Sequence, residues 1–128
     1  MCGIVAFIDF NKSINLRNVI GSTDILVLPR LDSYQAKGGF PTKLGEYLAT
    51  SKPVIVTKVG EIPNYLIDNQ DVFFAEPGSI NSLKDKLIQV LTDKNIADIV
   101  GKKGREVAEQ VFSKDIQSKR LFEFLEKI

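Results

Sequence analysis

The sequence contains no histidine, no tryptophan and a single cysteine, Cys2. Without histidine, the commonest general base and the commonest zinc ligand are both excluded. One cysteine allows no internal disulfide and no thiolate metal site, so no metal is expected and a reducing, cytoplasmic setting is the plain reading. No apolar run approaches the ~20 residues that a membrane-spanning helix needs, so no transmembrane segment is expected. The first residues also lack the charged region and apolar stretch of a secretory signal. An excess of one charge is missing too, since 17 basic and 16 acidic residues leave a net charge of +1. That balance argues against nucleic acid as a partner, because broad nucleic-acid binding wants a clearly basic surface.

What remains is ordinary globular material. The 128 residues are 44% apolar and 26% charged, which fits one domain with a useful core. Apolar runs at Ile4–Phe10, Asp24–Leu28, Val54–Thr57 and Val72–Ala75 predict strands covered on both faces, as in parallel sheets. Ser13 is placed to cap a helix with Leu16, Val19 and Ile20 on one face, broken by Gly21-Ser22-Thr23. Arg30 to Phe40 forms a polar loop ending in Gly38-Gly39. Pro41 suits the first position of a helix striped by Leu44, Tyr47 and Leu48. Gly60 opens another loop, and Pro63 to Ile67 predicts a short helix.

Beyond Pro77-Gly78 the pattern is helical only. Leu83, Leu87, Val90 and Leu91 share one stripe. Ile96, Val100, Val107 and Val111 mark another stretch, interrupted near Gly101 and Gly104, and Leu121, Phe124, Leu125 and Ile128 stripe the last helix. The expected fold is α/β: a partial Rossmann-like parallel sheet of about four strands, with helices on both faces and a helical C-terminal segment. A doubly wound nucleotide fold usually carries about six strands. Residues 1–128 are therefore expected to be a single domain that is the later part of a larger one. An open sheet edge would invite self-association.

In such sheets ligands bind beyond the carboxyl ends of the strands, where loops lead into helices. The stretch from Pro29 to Glu46 meets that description. Gly38 and Gly39 carry no Cβ to obstruct a close ligand. The helix near Pro41 offers unpaired N–H groups and a positive dipole end suited to a diphosphate. Thr42 adds a hydroxyl, Lys43 a positive charge, and Glu46 a carboxylate able to accept from the vicinal hydroxyls of a ribose. Plainer readings stand beside these. A Gly-Gly pair is common turn chemistry, Lys43 alone fits a solvated lysine, and Glu46 alone fits a residue that suits the helix dipole.

The segment Gly39-Phe-Pro-Thr-Lys-Leu-Gly-Glu-Tyr-Leu-Ala-Thr-Ser-Lys-Pro-Val-Ile55 resembles the donor-site signature of the group 1 retaining glycosyltransferases. Ser22-Thr23-Asp24-Ile-Leu-Val-Leu-Pro29 is similar to that family's strand, and Val59-Gly60 with Ile62-Pro63 to its next loop. The resemblance implies the GT-B architecture of two Rossmann-like domains across a cleft, this chain being part of the C-terminal, donor-binding domain. It implies a nucleotide-diphosphate sugar as donor substrate, no cofactor, no metal, and transfer to a glycan or lipid-linked acceptor with retained configuration. Gly38, Gly39, Phe40, Pro41, Thr42 and Lys43 would hold the pyrophosphate and Glu46 the ribose.

Departures accompany the likeness. The first of a glutamate pair common in relatives falls at Gly38, leaving no assigned catalytic residue and Asp32 as a neighbouring substitute. Glu61 and Asn64 replace a glycine and a glutamate. The acceptor domain is expected to be absent, so a missing N-terminal domain or partner chain is the expected partner and the chain alone is expected to be inactive. In the full enzyme, peripheral contact with the inner face of a membrane is compatible with this reading.

Met1-Cys2-Gly3-Ile4-Val5 resembles the start of class II glutamine amidotransferases, which would make Cys2 a nucleophile activated by its own α-amino group. The alternative is an idle or buried thiol, and an accidental start codon or a truncated reading frame would explain both this beginning and the missing half. A non-catalytic Rossmann-like nucleotide or interaction module is the third reading.

Overall fold

The computed structural model describes residues 16–128. The expected strand at Ile4–Phe10, the Ser13 cap and Cys2 lie outside the described residues. Helix α1 (Leu16–Ser22) leads to β1 (Leu26–Leu28), α2 (Tyr34–Lys37), α3 (Thr42–Leu48), β2 (Val54–Thr57), α4 (Ile62–Tyr65) and β3 (Phe73–Ala75). Three longer helical pieces follow, α5 (Ile80–Thr92), α6 (Lys94–Val107) and α7 (Lys114–Glu126), with a π-helical turn at Ala108–Phe112 before α7. Among the described residues the sheet has three strands in the order β1-β2-β3, all parallel, where about four had been expected over the whole chain.

Alternation along these strands builds two cores. Leu26, Leu28, Val54, Val56, Val72 and Phe74 face one side, against Leu44, Tyr47 and Leu48 of α3, Ile62 of α4 and Ala36 of α2. Ile55, Phe73 and Ala75 face the other, against Val90 of α5 and Ala97 and Val100 of α6. Helices thus cover both faces, which is why the strands are apolar at almost every position. The C-terminal helices start on side-chain caps. Ser79 accepts from Ser82 N–H at 3.1 Å, Asp93 from Ile96 N–H at 3.1 Å, and Ser113 from Ile116 N–H at 3.3 Å.

Several expectations need correction. Gly21 and Ser22 belong to α1 rather than breaking it. The polar loop of Arg30–Phe40 contains α2, started by Ser33, whose side chain accepts from Ala36 N–H at 3.1 Å. Pro41 is the residue before α3, with extended ψ of 118°, so the helix begins one position later, at Thr42. The helix expected at Pro63–Ile67 runs from Ile62 to Tyr65. Gly101 and Gly104 do not interrupt α6, because they are its contact points with the sheet side. A Cβ on Gly101 would lie 2.3 Å from Ser51 O, and one on Gly104 2.6 Å from Asp71 O. Leu91 and Ile96 turn outward instead of joining the core stripe. The α7 stripe exists, but α7 buries none of its residues, and Leu121, Phe124 and Leu125 are exposed.

Candidate donor-binding site

Parallel strands place Leu28, Thr57 and Ala75 at one edge of the sheet, with their following loops side by side. One side chain ties two of these loops. Thr57, buried at the end of β2, accepts from Arg30 N–H at 2.8 Å and donates its hydroxyl to Arg30 O at 2.7 Å. The loop after β2 is held against α2 by Gly60, which has φ of 57° and would carry a Cβ 2.3 Å from Ala36 O. Glycine is required there on both counts. Glu61 and Asn64, the two departures of this loop from the family pattern, bond to each other at 2.6 Å.

Gly38 and Gly39 behave differently. Gly38 has φ of −91° and ψ of 1°, open to any residue, and a Cβ there would meet Tyr34 O at 3.6 Å. At Gly39 a Cβ would stand 3.4 Å from Gln35 O, an ordinary contact. Turn chemistry that needs positive φ is therefore not what the pair supplies. Its bare backbone instead leaves the loop approachable from outside. Phe40 next to it is fixed by its ring, which packs against Phe112 at 4.9 Å and Tyr65 at 5.6 Å between centroids. Tyr65 and Phe112 complete the trio at 5.8 Å. This aromatic contact anchors the loop to α4 and to the π-helical turn, so Phe40 offers a ligand its backbone and its ring is occupied.

At the start of α3 no side chain caps the first turn. Leu44 N–H bonds to Pro41 O at 3.1 Å, while no acceptor among the described residues takes the N–H of Thr42 or Lys43. Lys43 is half-buried and forms no ion pair among the described residues. Thr42 is exposed, and one turn on Glu46 is exposed as well. Both line a groove of about 370 Å³ with Gly45, Ala49, Glu109 and Phe112. Asp32, the substitute carboxylate, lies 3.5 Å from Lys37 in a solvent-exposed pair. The structure thus brings Gly38, Gly39, Phe40, Pro41, Thr42 and Lys43 into one uncapped loop and helix start, with Glu46 a turn away. Arg30 and Thr57, which fix the neighbouring loop, escaped the sequence reading. The only signal was that Arg30 stands two positions after a strand end, beyond Pro29.

No helix among the described residues is long and apolar enough to cross a membrane. Among the same residues no three His, Cys, Asp or Glu side chains cluster as metal ligands would.

Residues 3–107 match the family model for glycosyl transferases group 1. The chain is 32% identical over 72 residues to an uncharacterized glycosyltransferase of Methanocaldococcus jannaschii, covering 56% of this chain and 20% of that protein. It is 30% identical over 108 residues to N-acetyl-alpha-D-glucosaminyl L-malate synthase of Bacillus anthracis, covering 84% of this chain and 27% of that protein. The chain therefore spans 20% and 27% of the lengths of these two relatives. Among solved structures it is similar to Anabaena HepE in complex with UDP-glucose, with a TM-score of 0.76, 17% identity, and coverage of 86% of this chain and 29% of that chain. At that identity the likeness shows the fold, Rossmann-like α/β. These matches give no support to the amidotransferase resemblance, which rests on residues outside the described ones. With the whole segment Gly39–Ile55 inside the matched span, the chain belongs to the group 1 glycosyl transferases, to their C-terminal, donor-side part.

Proposed function

We propose that this chain is the nucleotide-diphosphate-sugar-binding part of a retaining, metal-independent glycosyltransferase that works with an acceptor domain or partner chain. The sugar goes to a glycan or lipid-linked acceptor, and residues 1–128 alone carry no transfer activity. Gly38 to Thr42 and Lys43 hold the diphosphate, and Glu46 grips the ribose. The observation that carries this reading is the first turn of α3. Among the described residues, N–H groups without an acceptor and a half-buried lysine without a carboxylate converge there, next to a glycine pair that the backbone itself does not require. A diphosphate answers all three by charge and by hydrogen bonding. HepE, the structural neighbour, is a protein seen with UDP-glucose, which supports a nucleotide sugar as donor. Chemistry at such a site is mostly positioning and electrostatic support for a departing diphosphate.

Calorimetry with UDP, GDP and ADP tests the binding. A charged hydrogen bond is worth about 1.5–3 kcal/mol, so Glu46→Ala is expected to weaken nucleotide binding about tenfold or more. Its melting temperature should stay within a degree or two of the parent, since Glu46 is exposed. Equal affinity in the variant removes Glu46 from the site. The outer edge of β1 has no partner strand among the described residues, and we expect self-association through it at concentrations on the order of 0.1 mM. A single monomeric species in sedimentation at that concentration would overturn this expectation.

A further inference from the structure

Arg30 is held more tightly than a surface arginine needs to be. Its backbone N–H and C=O are both taken by the Thr57 hydroxyl, at 2.8 and 2.7 Å, which fixes its Cα over the carboxyl end of β2. Its guanidinium Nη1 is buried and has no hydrogen-bond partner among the described residues. No carboxylate among the described residues pairs with it, and the acid two positions on, Asp32, lies by Lys37. A cavity of about 640 Å³ opens here, lined by Pro29, Arg30, Leu31, Ser33, Gln35 and Ala36. Ser33 accepts from Ala36 N–H at 3.1 Å and so keeps its own proton to donate. The Gln35 side chain is exposed and brings an amide with two further donors. The described lining contains no acidic side chain.

A buried, unpaired cationic donor is a costly arrangement that proteins keep where a ligand completes it. Donors alone, a guanidinium carried on a pinned backbone, and a position at the strand ends select an oxyanion. Resting on the donor-site reading above, we propose that Arg30, with Ser33 and Gln35, forms a second anion subsite that takes a phosphate or diphosphate group of a substrate. The group is the donor's own diphosphate or a phosphate carried by the acceptor.

The test is calorimetry on the full chain with inorganic pyrophosphate and with UDP, for the parent, Arg30→Gln and Glu46→Ala. Pyrophosphate is expected to bind the parent, and Arg30→Gln to lose that affinity tenfold or more. The ligand-free melting temperature of Arg30→Gln should be unchanged or higher, because a buried donor without a partner among the described residues has been removed. A parallel loss for UDP assigns the subsite to the donor diphosphate. Lost pyrophosphate with unchanged UDP assigns it to an acceptor phosphate. Equal pyrophosphate affinity in Arg30→Gln, or none in the parent, overturns the proposal, as does a variant that melts several degrees lower. Backbone NMR shifts in the parent provide a variant-free check. Pyrophosphate must move the amide signals of Arg30 and Ser33, and shifts confined elsewhere overturn the proposal. Loss of UDP binding in Glu46→Ala, with UDP and pyrophosphate affinity both unchanged in Arg30→Gln, would sink this subsite and leave the donor site standing. The reverse pattern would spare the subsite and remove Glu46.

Discussion

Gly101→Ala is expected to lower the melting temperature by about 8 °C, although alanine is the better helix former. In an exposed helix interior the exchange would stabilise by up to about 1 kcal/mol. At position 101 the new Cβ would lie 2.3 Å from Ser51 O, 2.8 Å from Lys52 C and 3.0 Å from Pro53 N. All three are backbone atoms, so no flexible side-chain end can swing away. Either α6 or the turn leading into β2 must shift, and that turn feeds a strand whose residues are all buried. Overpacking of this kind costs typically 1–3 kcal/mol and occasionally more. Three short backbone contacts put this site at the upper end, leaving a net loss of about 2 kcal/mol, or roughly 4 °C for each. Gly78→Ala is the control. Its φ of 74° strains any side chain while a Cβ there meets nothing within 4 Å, so its loss is the backbone cost alone, about 1–2 kcal/mol, with no steric share. Thermal melts followed by circular dichroism decide it. A Gly101→Ala variant as stable as the parent would show that α6 does not rest on this turn.

Gly101 also marks where sequence reasoning stops. A glycine that breaks a helix and one that lets a helix touch a distant turn look alike in one dimension. The partner atoms belong to Ser51, Lys52 and Pro53, far away along the chain. The strands were legible because apolar runs such as Val54–Thr57 need covering on both faces, and both faces are covered. The α5 stripe was legible in part. Leu83, Leu87 and Val90 pack on the second core, whereas Leu91 lies just outside the contact arc. Helix α2 was not legible, because four residues show no period and its place depends on Ser33 and on the close approach of Gly60.

The candidate site divides the same way. Its glycines, Thr42, Lys43 and Glu46 were visible as residue types that suit a phosphate and a ribose at a strand-to-helix junction. That Gly38 and Gly39 have ordinary φ, and that the Phe40 ring is committed to Tyr65 and Phe112, needed coordinates. The pairing of Arg30 with Thr57 spans 27 positions and has no local signature.

That pairing gives the second large effect. Thr57→Val keeps the shape of the side chain and removes the hydroxyl, leaving Arg30 N–H and C=O without the partner each has at 2.8 and 2.7 Å. A buried unpaired polar group costs about 1–3 kcal/mol. Arg30 is only half-buried, so water recovers part of this, and the expected loss of stability is about 2 kcal/mol. Binding should suffer as well, because the same two bonds hold the loop from which the guanidinium projects, and a loop freed to move by about 1 Å forfeits its fixed geometry. Pyrophosphate affinity is therefore expected to fall about tenfold in Thr57→Val. In Thr57→Ser the hydroxyl stays and one methyl goes, so about 1 kcal/mol of stability is lost while affinity is kept. The comparison separates packing from hydrogen bonding at one position. If Thr57→Val melts and binds as the parent does, the loop owes its place to something other than this hydroxyl.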